Sequence, residues 1–285
     1  MDALTNHSKV LFKQDNLLVL QTFAYDSLLP LAMNQPQKDS FGSFNLGLHV
    51  NDEPNKVLIN RCKLMDMMNT FVKNDTSNQR FTIQQIHWLS QVHGNQVLQV
   101  NQKTPLCLEP CSADAITTTQ SGVALAIMTA DCVPVILHQQ STGKIAAIHA
   151  GWKGLANGII AKTVAEFADN RGEISAWIGA CIGVKNYEVS QDVLHQLVNQ
   201  SMQHFNFGIT YAQLINKISK PHNNKDKAWL DIQLLARLQL QSLQCVVHNQ
   251  HIDCSYDGLQ YYSYRRKTHL NQPNTGRMAM LVVKK

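Results

Sequence analysis

The chain has 285 residues, enough for one large domain or two small ones with a substantial core. Apolar residues make up 44% and charged residues 16%, which excludes a disordered chain, and a net charge of +5 (25 Lys and Arg against 20 Asp and Glu) is too small and scattered to argue for nucleic acid. No apolar run approaches the roughly 20 residues of a spanning helix, no secretory leader opens the sequence, and seven cysteines without short regular spacing read as reduced thiols in the cytosol.

In chain order, the spacing predicts a helix over 57–72 with Leu58, Cys62, Met65 and Val72 near one face, started by Asp52-Glu53-Pro54. Short strands are expected at 83–89 and 96–100, around the turn at Val92-His93-Gly94. Further strands fall at 123–129, 135–138 and 144–149, the last two joined by Ser141-Thr142-Gly143. Leu155, Ile159, Ile160, Val164 and Phe167 recur at helical spacing, so a helix should follow Gly154. Its first N–H groups would lie just past His149-Ala150-Gly151-Trp152 and favour an anion. Ser190 and Asp192 start another helix, with Leu194, Leu197, Val198, Met202 and Phe205 on its apolar face. The pattern weakens over 206–227, where 221–226 reads as an exposed loop. Asp231 is placed to cap a helix through Leu243, and 260–283 alternates like paired strands. Strands and helices mix without strict alternation, which makes the fold class α+β, in a single domain, with residues 1–20 as a peripheral N-terminal segment.

The chemistry concentrates in three places. Thr129-Ala130-Asp131-Cys132 puts a cysteine in the turn after one apolar run, and His149-Ala150-Gly151-Trp152-Lys153-Gly154 ends the next with a histidine. Gln91-Val92-His93-Gly94 supplies a second histidine. Soft and borderline ligands suit zinc, and three of them leave a fourth tetrahedral position open, as catalytic sites do. The spacing is no short chelating motif, so each side chain also has a packed or solvated reading.

A rival is a cysteine hydrolase, with Cys132 and His149 as nucleophile and base acting on an amide such as a cell-wall precursor. His93 has no clear task in such a dyad and favours the metal. A third reading is a non-catalytic, zinc-stabilised binding module, which would unfold on chelation. Cys245, His248, His251 and Cys254, at three-residue intervals, imitate a structural zinc site, but strand alternation through Val246-Val247 would scatter them. The 12 histidines include no His-x-His pair, which argues against a multicopper laccase.

Ordered blocks run through most of the chain: Ser43-Phe44-Asn45-Leu46-Gly47-Leu48-His49-Val50, Asn60-Arg61, Gln91-Val92-His93-Gly94, Ala113-Asp114-Ala115-Ile116-Thr117 and the two blocks around Cys132 and His149. They continue with Ile178-Gly179-Ala180-Cys181-Ile182-Gly183, Tyr187-Glu188-Val189, Asp231-Ile232, Arg237-Leu238-Gln239-Leu240, Tyr261-Tyr262-Ser263-Tyr264-Arg265-Arg266 and Gly276-Arg277-Met278-Ala279. In these blocks the chain resembles the YfiH family, also called laccase-domain or polyphenol-oxidase-like proteins and described as purine nucleoside phosphorylases with adenosine deaminase activity.

The resemblance implies a layered sandwich of mixed sheets flanked by helices, with His93, Cys132 and His149 holding zinc in preference to copper. It implies phosphorolysis of adenosine, inosine or guanosine to the base and ribose 1-phosphate, with Cys132, Asp131 and Arg61 in the catalytic set. Lys153, Arg61 and one of Arg265 and Arg266 are the phosphate candidates, since consecutive strand residues face opposite ways. Asn45 would hold ribose or base, or else brace the turn toward Gly47. Deamination would draw on water activated by the same metal, with Asp131 or Asp114 moving the proton. Tyr187 and Trp152 would stack on the purine or pack in the core, and Cys181 reads as a small buried side chain. Asn51, where the family commonly has glycine, and Ser255, where it has threonine, are departures. The expected partners are nucleoside and phosphate, without nucleic acid or membrane, for a cytoplasmic monomer or homodimer.

Overall fold

The computed structural model describes residues 3–14, 16–25, 41–73, 81–101, 104, 109–167 and 172–285. Two mixed sheets stack face to face. The first runs in the order β1 (Ser8–Gln14), β2 (Leu17–Thr22), β14 (Met278–Lys284), β6 (Val123–Thr129), β3 (Gln85–His87). The second runs β13 (Val246–Val247), β9 (Ile174–Ile178), β7 (Val133–Gln139), β8 (Lys144–Ala150), β5 (Ala115–Thr118), β4 (Val97–Val100). A small sheet of β10 (Glu188–Ser190), β12 (Lys227–Leu230) and β11 (Ser219–Pro221) stands apart from both.

Side-chain alternation along each strand builds the layers. In β6, Val123, Leu125 and Ile127 point between the two large sheets, where they meet Ile145 and Ala147 of β8 and Trp177 of β9. The intervening Ala124, Ala126 and Met128 face outward onto α2 (Pro54–Lys73), near α1 (Ala3–His7). The outer face of the second sheet carries Val135, Leu137, Ala146 and Ile148. It is covered by α3 (Trp152–Ala156), α4 (Ile159–Ala165), α5 (Gln191–His204), α6 (Tyr211–Ile218) and α7 (Ile232–Ser242). Strands buried on both faces read as continuous apolar runs, which is why 123–129 stands out in the sequence. The architecture is the layered α+β sandwich that the sequence implies.

Several local expectations are corrected. The N-terminal segment is not peripheral: Leu17 to Leu20 are at most 4% exposed, and β2 pairs with both β1 and β14. Helix α2 forms, but it buries Val57, Asn60, Leu64, Met67, Met68 and Val72, whereas Leu58 is 47% exposed and Cys62 lies outside. The two faces differ by one sequence position, a rotation of about 100°. Asn60, bonded to the Asn45 carbonyl at 3.0 Å, hides the true face from an apolar count. The helix after Gly154 begins earlier, at Trp152, and is cut in two at Gly158, whose φ of 72° is left-handed.

The weak stretch 206–227 holds α6, started by a capping box between Thr210 and Gln213. Of the paired strands expected over 260–283, residues 278–283 form within β14, which pairs with β2 and β6. Residues 264–269 instead form a helix, α8 (Tyr264–His269), because the Ser263 hydroxyl caps it by accepting from Arg266 N at 3.1 Å. Among the described residues, no helix is long and apolar enough to cross a membrane.

Candidate metal centre and active site

The candidate ligands gather at one end of the sandwich, where the chain passes from one sheet to the other. His93 lies in the connection from β3 to β4, and Cys132 in the turn from β6 to β7; each connection joins strands of different sheets. His149 is near the end of β8, beside them. One ligand atom from each lies within 4.8 Å of the others, and Cys132 Sγ stands 3.8 Å from His93 Nε2. Zinc bonds of ~2.3 Å to sulfur and ~2.0–2.1 Å to nitrogen set tetrahedral S···N separations near 3.6 Å. Spacing and donor chemistry therefore fit a three-ligand zinc site. Gly151 leaves the room, since a Cβ there would meet His93 Cδ2 at 3.0 Å and Cys132 Sγ at 3.1 Å.

Asp114, just before β5, organises two of the three ligands. Its carboxylate accepts from His93 N at 2.9 Å and Gly94 N at 2.7 Å, which holds His93 at a left-handed φ of 59°. It also bonds His149 Nδ1 at 2.8 Å. That bond assigns the imidazole proton to Nδ1 and leaves Nε2 as the donor atom. Burial pushes the Asp114 carboxyl up, but the bonds from His149 and the backbone N–H groups outweigh it and hold the carboxyl below the usual range. Asp114 is thus an orienting group for both His93 and His149. Gln91 anchors the same loop to the first sheet through a double amide bond with Met128, at 2.7 and 2.8 Å.

Cys132 and His149 shift one another's titration. Burial favours the neutral thiol, yet His149 and His93 beside it bring the Cys132 pKa down to about 6. Burial likewise opposes charge on His149, and the Cys132 sulfur and Asp114 carboxylate raise it to about 9. Both shifts run toward the charged forms, thiolate on Cys132 and imidazolium on His149.

The three residues open into a cavity of 390 Å³ with mostly apolar walls, including Trp152, Ile182, Tyr187 and Ile232. Arg265 and Arg277 bring the positive charge, and His49 also lines it. Burial, then Arg277 and Arg61, keep the His49 pKa below its ordinary value.

Other sequence-derived candidates separate from this cavity. Arg61 lies outside the lining: its guanidinium stacks 4.1 Å over Trp88 and donates from Nε to Leu46 O at 2.9 Å, and burial lowers its pKa to about 10. Lys153 is exposed, its ammonium 5.8 Å from the Trp152 ring, and it does not line the cavity. Asn45 is fully buried; its amide oxygen accepts from Gly47 N at 3.0 Å and Arg277 N at 2.8 Å, so it braces a turn, and it does not line the cavity.

Asp131 lines the cavity but both carboxylate oxygens are taken, by the Ser255 hydroxyl at 2.7 Å and Arg265 N at 2.6 Å. Its φ of 106° and these bonds make it a brace between the Cys132 turn and α8, not a free acid. Only one consecutive arginine faces the cavity, though through helix geometry and not strand alternation. Arg265 leans over Tyr187 at 5.4 Å, while Arg266 donates to the carbonyls of Ser255, Tyr256 and Tyr261 and knits that loop.

The imitation zinc cluster does not assemble: His248 bonds Ser175, and Cys254 accepts from Gly183 N. Among the described residues, His93, Cys132 and His149 are the one group of three or more potential ligands that converge. His49 and Arg277 were the omissions. Both sit inside blocks that the resemblance quotes, but neither carries a chelating or catalytic spacing of its own.

The family profile described as multi-copper polyphenol oxidoreductase laccase matches residues 35–285. The chain belongs to this laccase-domain family. A Corynebacterium glutamicum protein named purine nucleoside phosphorylase is 32% identical over 245 residues, which cover 85% of this chain and 87% of that protein. The Escherichia coli purine nucleoside phosphorylase YfiH is also 32% identical, over 246 residues covering 85% and 86%. Among solved structures, a Neisseria meningitidis protein superposes with a TM-score of 0.72 at 26% identity, covering 98% of this chain and 99% of its own. The hypothetical protein YfiH of Bacillus licheniformis gives 0.74 at 22% identity over 98% and 97%, a likeness of fold. Within the laccase-domain family, the Asn51 departure has a simple account: its φ is 65°, a left-handed conformation that asparagine tolerates next best to glycine. Ser255 retains the hydroxyl that its bond to Asp131 requires.

Proposed function

We propose that this chain is a zinc-dependent purine nucleoside phosphorylase that cleaves adenosine, inosine or guanosine with inorganic phosphate to the base and ribose 1-phosphate. The observation that carries the reading is the convergence of His93, Cys132 and His149 at the mouth of an apolar, arginine-bearing cavity, in a chain 32% identical to proteins named purine nucleoside phosphorylase. His93, Cys132 and His149 would hold the ion, which when bound supplies positive charge and Lewis acidity. A single ligand cluster of thiolate and imidazoles suits zinc better than the several coppers of a laccase.

The remaining steps belong to the chain. Trp152 and Tyr187 offer faces to the purine, with Ile182 and Ile232 excluding water. Asp114 keeps the proton on His149 Nδ1. Asp131 fixes the Cys132 turn against α8. The His49 imidazole, whose pKa burial and then Arg277 hold below its ordinary value, lines the cavity and is available to hydrogen-bond the base without transferring a proton. Adenosine deamination at the same centre is the accompanying activity of this reading, in a cytosolic monomer or homodimer.

The test is metal analysis coupled to product chromatography. Purified protein should carry about one zinc, and Cys132→Ala should lose both the zinc and the nucleoside cleavage. Full activity in that variant would contradict the reading.

One observation favours a second reading. Cys132, His149 and Asp114 also form a nucleophile–base–orienter series, which would serve an amide hydrolase. That enzyme would turn over without zinc. Here zinc should protect Cys132 from iodoacetamide, and turnover should vanish with the metal.

A further inference from the structure

Arg277 precedes β14, whose register sets Met278 opposite Thr129 of β6. The arginine therefore emerges beside the turn that carries Cys132, and it lines the same cavity. Its placement is built. The Asn45 amide oxygen fixes Arg277 N at 2.8 Å and Gly47 N at 3.0 Å, and a Cβ on Gly47 would strike Arg277 Cγ at 2.8 Å. Only glycine at that position lets the side chain pass.

The guanidinium is engaged on one side. Nη1 donates to the carbonyls of Thr275 at 3.2 Å and Gly276 at 3.0 Å. Among the described residues, Nε and Nη2 have no acceptor, and no carboxylate pairs with the group. Asp131, the acidic residue in the lining, forms no ion pair with it: its oxygens accept from the Ser255 hydroxyl and Arg265 N, and its charge, like that of Cys132, acts on Arg277 from a distance. Arg265 shares the cavity and likewise has Nη1 on a backbone carbonyl, Glu188 O at 2.9 Å, but its guanidinium leans over the Tyr187 ring at 5.4 Å, whereas Arg277 emerges beside the Cys132 turn. A half-buried arginine with one fixed nitrogen and a free Nε–Nη2 edge has the two parallel donors that a tetrahedral oxyanion takes in bidentate fashion.

We propose that the Nε–Nη2 edge of Arg277 is the phosphate-binding element of the cavity, receiving the inorganic phosphate co-substrate beside the His93–Cys132–His149 centre. The assignment rests on the phosphorylase reading for the identity of the anion. It displaces Arg61, which does not line the cavity and whose Nε is held by Leu46 O, Nη2 by the Met128 sulfur at 3.6 Å and face by Trp88.

The test titrates inorganic phosphate into the zinc-loaded protein by calorimetry and measures separate KM values for phosphate and nucleoside. Charge-assisted hydrogen bonds of ordinary strength predict that Arg277→Gln weakens phosphate binding roughly 10- to 100-fold. The phosphate KM should rise in step, with the nucleoside KM changed less than about threefold, and Arg277→Lys should fall between because it keeps charge but not the fork. Saturable phosphate binding that depends on Arg277, in a protein that cleaves no nucleoside, would sustain the anion site and defeat the phosphorylase reading alone. Wild-type phosphate affinity in Arg277→Gln, or in Arg277→Lys should the first variant melt early, would overturn the proposal. So would equal losses for phosphate and nucleoside, the mark of a structural role, or Arg277-dependent binding of a nucleoside 5′-monophosphate without any of inorganic phosphate.

Discussion

Asp114 concentrates more of the site's geometry than any metal ligand does. One carboxylate fixes the backbone of the His93 loop and the tautomer of His149, so its loss should loosen two ligands together. Asp114→Asn should lower zinc affinity about 10- to 100-fold, as removal of such supporting groups does, measured by competition with a chromophoric chelator. An unchanged affinity would mean that the ligands are held by packing alone. In the metal-free chain the Asp114 pKa is depressed, so its stabilising contribution is complete above ~pH 4, the unfolded carboxyl value, and is lost as pH falls through the lowered folded value. The ligand set itself was legible in the sequence from residue type and the ends of apolar runs. Asp114 as their organiser was not, because its partners lie in two distant segments, the loop at 92–94 and the end of β8 at His149. Arg277 was equally hidden, since nothing in Gly276-Arg277-Met278 distinguishes an arginine beside the metal from one on the surface.

At the scale of elements, the apolar runs of β6, β7 and β8 and the caps at Ser190 and Asp231 are local signals, and the corresponding strands and helices form where those signals lie. Local signals fail where a tertiary partner decides. Two apolar sets run along α2 one position apart, and the sheet selects the set containing Leu64 and Met68. Leu64→Ala should therefore cost about 2–5 kcal/mol, while Leu58→Ala on the exposed face should cost under about 0.5 kcal/mol, both by urea denaturation. Comparable losses from the two would place the wrong face inward. The alternation over 260–283 misled for a related reason: Tyr261 and Tyr262 are buried in a loop packed on Ala24 and Met278, not in a strand. Ser263 then starts α8, which turns Arg265 toward Tyr187 and ties its backbone to Asp131.

For the whole molecule, stability and chemistry are separable. The cores on either side of and between the sheets are apolar and complete without an ion, and the metal ligands sit at one end of the sandwich, not inside it. Chelation should lower Tm by only the binding linkage and leave the far-ultraviolet circular dichroism intact. Unfolding on chelation would instead support a zinc-stabilised binding module. What the sandwich provides is a rigid rim, with two connections crossing between the sheets and α8 braced onto one of them through Asp131. Phosphorolysis at this rim is reached most directly by one assay: zinc-loaded protein incubated with adenosine, with and without inorganic phosphate, and the products separated by chromatography. Adenine and ribose 1-phosphate formed only when phosphate is present is the predicted result. No phosphate-dependent product from folded, zinc-loaded protein would contradict it.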